Sequence, residues 1–242
     1  MEPEITPISL HDTFCFACTP EVSCFNACCR DLNQALTPYD VLRLKSCLGL
    51  SSEQFLAQYT LEHTGPGSGL PVVTLKPDAN HDLCCPFVTE KGCRVYENRP
   101  SSCRMYPLVR AVSRSRATGK ITEQFMLLKE PHCLGFCQGN PRTVQQWIED
   151  QKITGYNEIN DKLIHIISLK NRLMPGALDL KFRHLLFTAL YNLDAFKSGI
   201  VNNNLLSDFQ IDSSVLDKAL DDDVALLEVG IKWIEHALFG IG

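Results

Sequence analysis

Long apolar runs are missing from this sequence of 242 residues, and several function classes go with them. No stretch approaches the ~18 consecutive apolar residues of a membrane span, so no membrane is expected among its partners. The opening segment, MEPEITPISLHDTF, is acidic and lacks the apolar core of a secretory leader, which points to the cytoplasm. Long basic runs are absent as well, and the net charge is -5. A nucleic-acid or anionic-lipid surface therefore has no electrostatic support. There is no Ser-His-Asp order, no HExxH helix, no dinucleotide-binding glycine fingerprint and no Walker loop, so the familiar enzyme classes lack their signatures. Internal repeats and low-complexity segments do not occur.

The most informative absence is that of cysteine from residues 138–242, because the chain carries twelve, all between Cys15 and Cys137. Hydrophobic content of 45% is enough for a buried core, so the thiols are not substitutes for one. The composition shift predicts an α+β protein in two parts. Residues 1–137 form a small metal-organised module of short antiparallel strands and helices, and residues 138–242 form a helical bundle.

Local signals fill in this outline. In "LTPYDVLRLKSCLGL", Thr37 caps a helix, Pro38 suits its first position, Asp40 sits in its first turn and Gly49 ends it. Ser51, with Gln54 three residues on, opens a second helix. The "GPGSG" at 65–69 is a turn rather than a phosphate cradle, since no Lys-Ser/Thr follows it. "PVVTLK", "CPFV", "CRVY", "CRMYPLVRAV" and "ITEQFMLL" are extended candidates, with "TGK" at 118–120 as a hairpin turn. From Pro141 the apolar spacing is helical. One stripe holds Val144, Trp147 and Ile148, and another Ile159, Leu163, Ile166 and Ile167. A single long one runs from Phe182 to Phe196, and the last from Val224 to Leu238. Four to five helices are expected there. The acids at 221–223 cap the final helix.

The stretch "SCFNACCRDL" places three thiols in six residues. Disulfide halves, metal ligands, redox catalysts and small core residues are the available readings. A reducing compartment argues against disulfides. "CFAC" at 15–18 lacks the strand–helix setting of a redox dithiol. If residues 24–29 form a helical turn, Cys24 and Cys28 share a face, and Cys29 lies about 100° further round. Adjacent thiols then serve two ions, or two edges of one cluster. The candidate metal ligands are Cys18, Cys24, Cys28 and Cys29 with Cys85, Cys93, Cys103 and Cys133. Eight thiolates suit two tetrathiolate sites or one polynuclear site. Soft sulfur selects zinc, copper(I) or iron–sulfur chemistry over magnesium or calcium. A divalent ion on four thiolates carries a net charge of about −2, which Arg30, Arg94, Arg99 and Arg104 are placed in sequence to offset. His81 and His132 are alternative fourth ligands. Tyr96 and Tyr106 are expected to pack over the sulfurs, and Cys47 is expected in the core.

Two blocks carry a resemblance: "CTPEVSCFNACCRDLNQALTPYDVLRLKSCLGL" and "CPFVTEKGCRVYENRPSSCRMYPL". They share Cys-Cys-Arg after a nearby cysteine, a Thr-Pro-x-Asp helix start, and Gly-Cys-x-Val-Tyr-Glu-x-Arg-Pro-x-x-Cys-Arg. Over about residues 14–137 the chain resembles the CxxCxxCC cysteine-cluster family of YkgJ-like proteins. The resemblance implies chelation of zinc or iron, with iron as an ion or within an iron–sulfur cluster. A similar cysteine motif in flagellin lysine methylases implies iron–sulfur-dependent methyl transfer as an enzymatic alternative. Electron transfer and metal or cluster trafficking are others, the last requiring a protein partner besides metal ions. The first cysteine group is spaced more widely than the family name, and Cys15, Cys47, Cys84 and Cys137 are additional.

Overall fold

The computed structural model describes residues 2–30, 33–66, 68–115 and 117–240, without the side chain of Cys137. Gly67 of the expected glycine-rich turn and the Cys137 thiol therefore lie outside the described residues. Strands β1 (Glu4–Ile8) and β2 (Thr13–Phe16) come first, then a 3-10 turn at Ala27–Cys29 and β3 (Ala35–Leu36). Helices α1 (Pro38–Leu48) and α2 (Ser52–Tyr59) precede β4 (Thr60–Thr64), β5 (Pro71–Leu75), β6 (Val88–Thr89) and β7 (Gly92–Cys93). A second 3-10 turn at Tyr96–Asn98 leads to helix α3 (Ser101–Met105). Strands β8 (Leu108–Arg114), β9 (Ile121–Lys129) and β10 (Phe136–Thr143) follow. The remainder is helical: α4 (Val144–Asp150), α5 (Thr154–Leu173), α6 (Leu180–Leu190), α7 (Leu193–Asn203), α8 (Ser213–Asp221) and α9 (Asp223–Phe239). The protein is α+β, with short antiparallel sheets and a helical C-terminal part.

Two compact units are interleaved along the chain: Met1–Asn33 with Pro77–Asn157, and Gln34–Lys76 with Glu158–Gly242. In the first unit, β9 pairs antiparallel with both β1 and β8, and β10 pairs with β2. Strand β2 alternates as a half-buried strand should: Phe14 and Phe16 are buried, Thr13 and Cys15 are not. Both phenylalanines enter a core with Met105, Leu108, Phe125 and Trp147. Phe16 meets the rings of Tyr106, Phe136 and Trp147 edge-on, at centroid distances of 5.6, 5.3 and 5.7 Å. The Trp147 indole N–H donates to the Met105 carbonyl at 3.2 Å, so the polar edge of a buried ring is satisfied. This core fixes the ends of β2, α3 and β9, the elements that flank the cysteines.

In the second unit, β3, β5 and β4 form an antiparallel sheet beside α1 and α2. The expected caps form. The Asp40 N–H donates to the Thr37 hydroxyl at 3.2 Å, and the Thr37 N–H to the Asp40 carboxylate at 2.8 Å. Ser51 and Gln54 make the same reciprocal pair. Gly49 ends α1 with φ 66°, a conformation glycine adopts without a Cβ penalty. Lys45 is buried, and its ammonium meets Asp194 at 3.2 Å and Asp223 at 2.7 Å, tying α1 to α7 and α9.

Several expectations need correction. The apolar stripe from Phe182 to Phe196 is two helices, not one. Helix α6 stops at Leu190, and the Asn192 side chain caps α7 by accepting from the Ala195 N–H at 3.3 Å. Six helices, not four to five, follow Thr143 among the described residues, and α8 is the one least visible in the pattern. "CPFV" and "CRVY" supply only the two-residue strands β6 and β7, and residues 103–105 are helical. Pro141 lies in β10 rather than at the start of a helix.

Candidate metal centre

Every candidate ligand lies in the first unit. Residues 19–29 descend through successive tight turns, with Phe25 N–H donating to Val22 O at 2.8 Å, Ala27 to Cys24 at 2.9 Å and Cys29 to Asn26 at 3.0 Å. Asn26 is left-handed (φ 65°), so the segment is not the single helical turn expected to align Cys24 with Cys28. Cys28 and Cys29 instead end a 3-10 turn at Ala27–Cys29, with their thiols in hydrogen-bond contact. The turn is anchored to the second cysteine block by two long-range bonds. Cys85 N–H donates to the Cys29 carbonyl at 2.8 Å, and the Asn26 amide donates to the Thr89 carbonyl at 3.0 Å. Cys93 ends the β6–β7 hairpin, whose second strand opens with Gly92 at φ 111°, a Phe25 ring carbon standing 3.1 Å from where a Cβ would be. Cys103 is on α3, and Cys133 follows β9, its N–H donating to Glu130 O at 2.9 Å. Next to it, the Leu134 N–H donates to the Cys24 sulfur at 3.1 Å.

Electrostatic neighbours sort the thiols into two overlapping groups. Partial burial, then the charges of Cys28, Cys24 and Cys133, push Cys18 up to about 11. Cys29 shares a hydrogen bond with Cys28 that holds Cys28 down at about 7 and drives Cys29 far up. Burial, Cys85 and Cys103 also raise Cys29. Burial, then Cys93 and Cys28, push Cys85 up to about 11. Burial raises Cys133, where the Tyr106 hydroxyl and the Gly135 N–H oppose it and Cys24 adds to it. These influences link Cys18 with Cys24, Cys28 and Cys133, and Cys29 with Cys85 and Cys103, while Cys28 also reaches Cys85, so the two sets are joined at the Cys28–Cys29 pair. Cys18, Cys29, Cys85 and Cys133 thus resist ionisation, a preference that a bound cation would invert.

The donor chemistry fits zinc or iron. The candidates are sulfurs, none of the eleven described cysteines is in a disulfide, and a backbone N–H already points at one sulfur. Cys18, Cys28 and Cys103 are exposed, and the other five candidates are half-buried. As they stand, no three His, Cys, Asp or Glu side chains among the described residues are gathered tightly enough to hold an ion.

The residues around the sulfurs differ from expectation. Arg30 is exposed, facing Asp82 at 3.7 Å, and Arg94 stacks on Phe87 with 5.3 Å to the ring centroid. Arg99 and Arg104 are buried, and the charges of Cys103 and Cys93 reach Arg99. Tyr96 is 54% exposed and lies under the Arg99 guanidinium, 3.7 Å from it. His81 pairs with Asp78 at 2.7 Å, and His132 faces Glu130 at 3.8 Å. Cys47 is exposed on α1, not in the core, because the helix buries Val41, Leu42, Leu44 and Lys45 instead. Tyr106 lies beside a sulfur as expected, whereas Glu130 escaped the sequence. The Tyr106 hydroxyl is buried without a well-formed hydrogen bond and lies against Cys133 and Glu130. Burial, then Cys133, raises its pKa. Glu130, at the end of β9, also acts on Cys28. The only signal for Glu130 was proximity in sequence to Cys133.

No helix among the described residues is long and apolar enough to cross a membrane. Comparison with curated proteins and with solved structures finds no match. Comparison with family models finds one over residues 17–134, named CxxCxxCC and described as a putative zinc- or iron-chelating domain. That span begins just before Cys18 and ends just after Cys133, so it encloses all eight candidate ligands. Residues 17–134, just under half of the chain, are thus similar to the CxxCxxCC domain, whose description is zinc or iron chelation.

Proposed function

We propose that the chain binds zinc or iron through eight thiolates in two groups: Cys18, Cys24, Cys28 and Cys133, and Cys29, Cys85, Cys93 and Cys103. The observation that carries this reading is the bond from the Cys85 N–H to the Cys29 carbonyl, which brings the second cysteine block to the Cys28–Cys29 pair. Cys28 acts on Cys18 and also on Cys85, and Cys29 is acted on by Cys85 and Cys103 and is tied through its carbonyl to Cys85. Two neighbouring sulfurs serve two ions, or two edges of one cluster, more readily than one small ion. Bound metal supplies soft Lewis-acid or redox chemistry. The chain's own residues supply the sulfurs, hold them by the turns at 19–29 and the β6–β7 hairpin, and donate to Cys24 from the Leu134 amide. The reading places the protein in the cytoplasm, where thiols stay reduced.

The test is anaerobic purification followed by elemental analysis and acid-labile sulfide. Colourless protein with stoichiometric zinc supports mononuclear sites. Brown protein absorbing near ~400 nm and releasing sulfide supports an iron–sulfur centre. Protein holding neither transition metal nor sulfide overturns the reading.

A further inference from the structure

Arg99 and Arg104 are both withdrawn from water, at 8% and 3% exposed. A guanidinium cannot lose its proton to escape that cost, so each must be compensated where it stands. Their described hydrogen-bond partners are all neutral. Arg99 donates to the Tyr96 carbonyl at 2.6 Å and to the Gln151 side-chain oxygen. Arg104 donates to the carbonyls of Arg99 at 3.2 Å, Gln151 at 2.7 Å and Glu97. Aromatic faces take up the rest: Tyr96 lies 3.7 Å from Arg99, and Tyr156 lies 4.9 Å from Arg104. The Glu97 carboxylate is turned to Lys152, at 4.0 Å. Two cations therefore share one buried site with hydrogen bonds but no carboxylate among those partners, and each raises the cost of the other.

Arg99 lies on the loop between Cys93 on β7 and Cys103 on α3, where the charges of both cysteines reach it, and Arg104 follows Cys103 on that helix. A divalent ion held by four thiolates has a net charge of about −2, which is the charge this pair lacks. We propose that Arg99 and Arg104 are a built-in counter-charge for the metal held by Cys29, Cys85, Cys93 and Cys103. They are positioning residues that destabilise the metal-free fold and stabilise the loaded one. The inference rests on the eight-thiolate reading and adds to it a reason for two buried arginines whose described hydrogen-bond partners are all neutral.

The test uses the full chain with zinc(II) as probe, anaerobically, measuring zinc affinity by chelator competition and the thermal midpoint of the metal-free form. Arg99→Gln removes one charge. Gln151→Glu instead adds a carboxylate at the oxygen that Arg99 already contacts, and it guards against a variant that fails to fold. Both are expected to weaken zinc binding at this group by about ten-fold or more, the size of effect typical of residues behind metal ligands. Gln151→Glu is also expected to raise the metal-free midpoint. A purely structural clamp would leave zinc affinity within about two-fold of wild type in both variants, and that result overturns the proposal. Wild-type protein that takes up no zinc or iron overturns the eight-thiolate reading itself, a failure separate from variants that bind zinc normally.

Discussion

The Cys85 N–H donates to the Cys29 carbonyl at 2.8 Å, and this bond joins the two cysteine-bearing stretches at the adjacent Cys28 and Cys29. It makes the two thiols inequivalent although they are neighbours in sequence. Cys29→Ser should release the metal shared with Cys85, Cys93 and Cys103 and spare the other group. Cys28→Ser should do the reverse. Metal content by elemental analysis of the two single variants and the double variant checks this. Unchanged content in both single variants would remove the pair from the ligand set.

Protons and metal compete for the same sulfurs, with a sign that differs between the forms. In the metal-free protein, Cys18 and Cys85 are raised from 9.0 to about 11. A thiol whose folded value is raised favours the protonated folded state. Its contribution is complete below pH 9 and is lost as pH climbs through about 11. Cys28, held at about 7, acts the other way: its contribution is present above pH 9 and lost as pH falls through about 7. Metal-free protein should therefore lose stability towards alkaline pH. Loaded protein should lose metal towards acid pH, as thiolates are protonated. Chemical denaturation of both forms across pH 6 to 11, read as midpoint against pH, separates the trends.

Lys45 tests the second unit independently of metal. Burial alone would lower its pKa, but Asp223 and Asp194 raise it on balance. Both carboxylates keep some solvent, so their worth is discounted. Asp194 also accepts from the Ser52 N–H at 2.6 Å, which adds a cap to α2. Asp194→Ala should cost about 1–3 kcal/mol of unfolding free energy by urea titration. Metal content should not change, because every candidate ligand lies in the other unit.

Chelation should act on the unit that holds the sulfurs. Ions bound by structural thiolate sites contribute on the order of 10 kcal/mol to folding. Removing them should open residues 77–157 to proteolysis while much of the far-UV helix signal survives, since α6 to α9 carry no candidate ligand. Equal protease resistance with and without a strong chelator would contradict this.

Much of the site was legible because its chemistry is local. Thr37, Asp40, Ser51 and Gln54 announce helix starts within four residues, and the caps form as read. The eight cysteines stand out by type and by their absence after Cys137. Three things were not legible. Thr13–Phe16 is too short for a strand to show, and only its partner Phe136–Thr143 makes it one. Asn192 breaks an apolar stripe through a cap, and the stripe's spacing hides it. The units are interleaved because α1 and α2 group with helices beyond residue 157, and an apolar helix face does not name its partner. The arginines beside cysteines looked alike in sequence, yet Arg30 and Arg94 lie apart from the buried pair Arg99 and Arg104.

X-ray absorption at the metal edge of anaerobically purified full-length protein addresses the ligand set most directly. An all-sulfur first shell, at about 2.3 Å if the metal is zinc, is the expected result. A shell dominated by nitrogen or oxygen, or a protein that retains no metal, would contradict it.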